Sequence, residues 1–156
     1  MIKLRYALTI LFFVAALCPA SNSLADTFPR CFIGTYLLEQ GSGTMSLWTF
    51  GARGTIIVTS SAQEELNFST EQGSWKKSAR GQAKSTMLDF SFGEDGELIN
   101  IARVDATINF LGSNCDEVEG SFSLRFFDNG QDPLNPDNSN GDTITDTFTG
   151  RRVKTE

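Results

Sequence analysis

From Leu98 to Phe110 apolar and polar side chains alternate: Leu98, Ala102, Val104, Ala106, Ile108 and Phe110 share one face, Arg103, Asp105, Thr107 and Asn109 the other. Asn100 is the exception on the apolar side. A period of two held this long predicts a strand with one face in a core and one in water, as in antiparallel sheets and barrel walls. The same reading predicts a first strand within CFIGTYLLEQ after Cys31, then a hairpin of Met45–Phe50 and the β-branched Thr55–Ser60 across Gly51-Ala52-Arg53-Gly54. A shorter strand follows at Gly73–Ser78, then Ser85–Phe92 with Leu88, Phe90 and Phe92 expected to point inward. Beyond Cys115 come Val118–Phe127, with Phe122, Leu124 and Phe126 on one side, and a closing strand at Thr143–Val153. The stretch Ser61–Phe68 fits one short helix, with Ser61 as cap and Glu64 three residues on.

About eight strands in hairpin order make an all-β chain, either an antiparallel up-and-down barrel or a β-sandwich. The barrel is preferred because closure removes the two edges that an open sheet exposes. Thirteen phenylalanines, two of them (Phe12 and Phe13) in the leader described next, leave many large side chains to fill its inside.

The start of the chain stands apart from this pattern. Lys3 and Arg5 precede an apolar run from Tyr6 to Cys18, and Ser23-Leu24-Ala25 supplies small residues for a signal peptidase. Residues 1–25 therefore read as a signal peptide cleaved after Ala25, and residues 26–156 as a single β-barrel domain that is secreted or periplasmic. The run falls short of the roughly 20 apolar residues that span a bilayer, and none follows, so no membrane span is expected after signal removal. Cleavage takes the formal charge from −6 to −8. An acidic surface without basic clusters repels phosphate backbones, so no nucleic acid is expected as partner. Cys18 leaves with the leader, and Cys31 and Cys115 remain for one disulfide in an oxidising compartment. By the chain-entropy account, closing a loop of about 85 residues gives an upper bound of about 4 to 5 kcal/mol.

Gly34-Thr35-Tyr36 at the first strand, the eight-strand meander, a cysteine near each end and Arg151-Arg152 in the last strand resemble the calycin superfamily, the lipocalins and their relatives. In lipocalins a Gly-x-Trp packs under a basic residue of the closing strand and seals the barrel floor by a cation–π contact. Tyr36 stands at the tryptophan's place. The run CFIGTYLLEQGSGTMSL is also similar to the opening of avidin-type barrels; beyond Trp48 and Trp75, the tryptophans that wall a biotin site have no counterparts. The spacing of Phe50…Gly54, Gly73-Ser74-Trp75 and Phe90 before Asp95-Gly96 resembles small secreted barrels of lipocalin-like or allene-oxide-cyclase-like form, most without assigned function. These motifs argue fold, and fold does not fix function.

The chain has no histidine, which removes Ser-His-Asp and Cys-His catalysis and most zinc sites. Carboxylates remain. Asp89 and Asp105 are expected on outward phases and the Asp116-Glu117 cluster at a turn; these and Glu119 read as solvated surface acids. Asp146 shares the phase of Ile144 and Phe148, so it is expected inward with a raised pKa unless paired with Arg125 or Arg151. The oxygen-rich stretch Asp128–Asp142 lacks the glycine and terminal glutamate where an EF-hand loop needs them, and reads as a polar connection at a barrel mouth, able to serve as a lid. No metal and no cofactor is expected. For a ligand, the residues to watch are Tyr36, Trp48, Trp75, Phe110 and Asp146, with the small inward Ala102, Val104 and Ala106 leaving room.

Three functions follow from this reading. The leading one is a non-enzymatic module with a small apolar or amphipathic, hydrophobic ligand in the barrel. The second is a carboxylate-based lipid cyclase or isomerase, which requires a buried acid, and Asp146 is its test. The third is a filled-barrel structural or interaction protein.

Overall fold

A computed structural model describes residues 29–156 apart from 136 and 138; the expected leader, residues 1–25, lies outside the described residues. Eight strands follow one another: β1 (Gly34–Gln40), β2 (Met45–Phe50), β3 (Thr55–Ser60), β4 (Glu71–Ala79), β5 (Gln82–Phe92), β6 (Leu98–Leu111), β7 (Glu117–Asp128) and β8 (Asn140–Arg152). Each pairs antiparallel with the next, and β8 returns to β1 with Tyr36 opposite Arg152 and Gln40 opposite Phe148. The barrel is closed, as the alternation predicts, and the sandwich is set aside. A single helix among the described residues, α1 (Gln63–Leu66), follows β3. The expected cap is not used: Ala62 precedes the helix, and the Ser61 hydroxyl instead accepts from the Met45 N–H at 3.1 Å. No helix among the described residues is long and apolar enough to cross a membrane.

Along β6 the alternate residues from Ala102 to Phe110 keep the predicted inward phase, while Leu98, past the register shift between Ser91 and Phe92, is exposed. Strand β5 has the opposite phase to the one expected. Ala83, Ser85, Met87 and Asp89 are buried inside, whereas Leu88 is half-buried and Phe90 is 48% exposed. Apolar residues occur on both phases here, so the partners decide the face: Met87 is registered between Gly73 and Val104, both inward. The displaced apolar face is partly reused outside, where Phe90 lies opposite Ile101 and Ile101 opposite Phe127, which is fully buried although it points away from the barrel.

One end of the barrel is packed shut. Phe32, from a short 3-10 turn at Arg30–Phe32, stacks on Phe110 with ring centroids 3.9 Å apart. Tyr36, Phe50 and Trp75 surround the pair edge to face or tilted. The Cys31–Cys115 disulfide, with Cα atoms 5.5 Å apart, ties the entering chain to the β6–β7 turn. The Arg152 guanidinium lies 4.6 Å from the Tyr36 ring centroid, donates to Ile33 O at 2.7 Å, and also bonds Cys31 O and the Tyr36 hydroxyl. Gly34 makes this possible. Its φ of +141° is a conformation few side chains adopt, and a Cβ there would run into the Arg152 guanidinium. The floor contact expected of Gly-x-Tyr and the closing strand is therefore present in geometry.

Candidate functional site: the open mouth of the barrel

At the opposite end the interior opens into a cavity of about 630 Å³ that descends from the lip, lined by Trp48 and by Ala102, Val104, Phe122, Leu124 and Phe126 among others. It exists because β6 contributes small side chains where β7 contributes large ones: Ala102 is registered against Phe126 and Val104 against Leu124. On the near side of the lip, α1 and the residues after it bend over the opening, so that Leu66 and Phe68 join the lining. That bend is fixed locally. Gln63 accepts from the Ser60 N–H at 2.9 Å, and Asn67, in the left-handed region at φ 52°, donates to Phe92 O and Gly93 O.

Two acids are set into the cavity wall. Glu71 opens β4 opposite Val58 of β3, and Asp89 of β5 lies opposite Ala102 of β6. Their places continue the β4–β5 register one step beyond its Gln72–Leu88 pair, both line the cavity and the Asp89 charge acts on Glu71; residues opposite each other on one face of a ladder have Cβ atoms about 5 Å apart. Glu71 is 9% exposed and Asp89 4%. Burial pushes Glu71 up to about 8, with the neighbouring Asp89 charge adding to the effect, and burial pushes Asp89 up to about 7. Glu71 Oε2 and Asp89 Oδ1 are both buried without a hydrogen-bond partner among the described residues. A buried polar atom left unpaired costs about 1 to 3 kcal/mol.

Asp89 therefore belongs to the interior rather than the solvated outer face, because the β5 phase is reversed. Asp105 is outside, as expected: burial opposes its charge, but hydrogen bonds from Arg103, Thr86 and Arg125 hold its pKa below the ordinary value. Asp146 keeps the inward phase of Phe148 but only at the lip. Its oxygens accept from the Thr147 N–H at 2.7 Å and the Ser42 N–H at 3.1 Å, and these bonds hold its pKa down rather than up. The expected arginine partners are elsewhere: Arg125 pairs with Asp105, and Arg151 is registered against Leu37 and Glu117.

Of the aromatic residues singled out for a ligand, Trp48 lines the cavity, its indole N–H donating to Ser46 Oγ at 3.0 Å. Tyr36, Trp75 and Phe110 are part of the floor packing, below the cavity. Glu71 was missed because the alternation in this region begins to be readable only at Gly73. The signal was present: Glu71 stands four residues before the core Trp75, on the same phase. The Asp128–Asp142 connection is not drawn across the mouth at its described centre, where Arg103 donates to Pro133 O at 3.0 Å and Leu134 O at 3.1 Å from the outer wall. Compared with protein-family models, curated proteins and solved structures, the chain finds no match.

Proposed function

We propose that this chain is an exported, calycin-like barrel that holds one small apolar or amphipathic ligand in its mouth. The observation that carries the reading is the 630 Å³ cavity, closed below by the aromatic floor, with an apolar wall around Trp48, Val104, Phe122, Leu124 and Phe126 and a set of polar side chains that includes Glu71, Asp89 and Asp146. Ligand sites have this character, with volumes of roughly 300 to 1,000 Å³. The Tyr36–Arg152 contact supports the calycin resemblance, and the disulfide together with the leader-like start supports export. The test is native mass spectrometry of the protein from its source, followed by denaturing extraction and titration with fluorescent lipids. A stoichiometric small adduct or saturable lipid binding is expected. Neither adduct nor binding would leave a barrel that works through its outer surface.

A second reading, a carboxylate-based enzyme acting on a lipid-like substrate, is favoured by the Glu71–Asp89 pair. Two facing acids with raised pKa values can hold one proton between them near neutrality, one as acid and one as base. Asp146, which was to discriminate this reading, is replaced in that role by Glu71 and Asp89. Turnover of a lipid substrate lost in both Glu71→Gln and Asp89→Asn would support it; ligand recovered chemically unchanged favours the carrier.

A further inference from the structure

We propose that the ligand of the mouth carries a protonated amine, which enters head first and is held between Glu71 and Asp89 with its apolar body against the β6–β7 wall. This rests on the ligand-binding reading above and narrows it to one chemical class.

The argument begins with what the cavity contains and what it does not. Glu71, Asp89 and Asp146 are among its lining residues, and no lysine or arginine lines it among the described residues. Registered directly against the acids on the adjoining strands are the apolar Val58 of β3 and Ala102 of β6, and the polar neighbours Ser60, Ser91 and Asn100 carry no charge. Asp146, at the lip on β8, is the remaining titratable group lining the cavity among the described residues. Nothing inside neutralises the pair. Its two unpartnered oxygens are acceptors that are more than nine-tenths buried.

Three kinds of head group can then be compared. A carboxylate or phosphate would set an anion beside two acids in a poorly hydrated site, where like charges repel strongly. A hydroxyl can complete one acceptor but offers a single donor. An alkylammonium has up to three donors and a charge, so it can meet Glu71 Oε2 and Asp89 Oδ1 together by charge-assisted bonds. With one proton left on the pair, ammonium and carboxylate cancel, and no net charge is buried. The apolar tail lies toward Phe122, Leu124 and Phe126.

The experiment is calorimetric titration of the purified protein with decylamine, decanol and decanoate at about pH 7.5 and about 0.3 M salt, which screens non-specific attraction to the acidic surface. Decylamine is expected to bind at least tenfold more tightly than decanol, with decanoate weakest. The double variant Glu71→Gln/Asp89→Asn is expected to bring the amine-to-alcohol ratio to within about twofold of one. Equal or tighter binding of decanol or decanoate would overturn the amine inference while leaving a ligand-binding barrel. No binding of any of the three would overturn the ligand reading as well. Should the double variant fail to give a folded circular dichroism spectrum, the unaltered protein still decides. Below about pH 7 the amine must displace a proton from the pair, so its affinity should fall about tenfold or more between pH 7.5 and pH 5.5 while that of decanol stays level. A flat amine profile would overturn the proposal.

Discussion

Two buried acids that hold protons near neutrality make the protein less stable as pH rises, the reverse of what surface carboxylates do. Glu71 has a raised pKa of about 8 against an ordinary value of 4.5. The folded form keeps the proton that the unfolded chain gives up. Its stabilising contribution is fully present below about pH 4.5 and is lost as pH rises through about 8; for Asp89 the window runs from about 4 to about 7. At about 1.4 kcal/mol per pH unit, Glu71 alone would account for up to about 5 kcal/mol. The cavity opens to water, which relieves part of the burial, and the two acids share one field. The expected loss for the pair between pH 5 and pH 8 is therefore about 2 to 3 kcal/mol. Asp105, whose pKa is lowered, contributes stability that is fully present above its ordinary value of 3.8 and is lost only as pH falls below it, outside this range. Urea unfolding followed by Trp fluorescence at pH 5, 6.5 and 8 measures the effect. The midpoint should fall with pH in the native sequence and change little in Glu71→Gln/Asp89→Asn, which should be the more stable protein at pH 8. A native midpoint that is level or rises from pH 5 to 8 would refute the burial argument for both acids.

Three further outcomes follow from the floor and the outer wall. Gly34→Ala should destabilise by about 2 kcal/mol or more, because a Cβ there meets both an unfavourable φ and the Arg152 guanidinium; thermal unfolding reads it. Tyr36→Phe removes the hydroxyl that lies 2.9 Å from Cys115 O and 3.1 Å from Cys31 O, and should cost about 1 to 2 kcal/mol in urea with the fold retained. Arg103→Ala should free the Pro133–Leu134 segment and speed its cleavage by a non-specific protease severalfold, and, because it also removes the 2.8 Å bond to Asp105, should lower stability by about 1 kcal/mol in urea.

The barrel was legible because its longest strands are regular. From Ala102 to Phe110 of β6 the inner side chains are small or apolar and the outer ones charged or polar, so its phase can be read without knowing any neighbour. In β5 that contrast is missing: Met87 and Leu88 are both apolar, and the more hydrophobic phase turned out to be the outer one, part of it covered by its own row with Ile101 and Phe127. A phase set by partners across the ladder is not contained in one strand. This hid Asp89, expected as a solvated outer acid, and a β4 expected to start at Gly73 left Glu71 outside any strand. Trp48 and the room beside Ala102 and Val104 were readable, since both depend on local pattern and volume.

The floor also fixes how the molecule can be attached to anything else. Pro29 leads directly into the turn that packs beneath the barrel, and the chain leaves β8 beside it, where the Val153 N–H bonds Thr35 O at 2.8 Å. Both ends of the described chain thus emerge under the sealed end. Whatever is joined there, a retained leader, a tag or a solid support, holds the barrel by its base and turns the acid-lined opening outward to the solution.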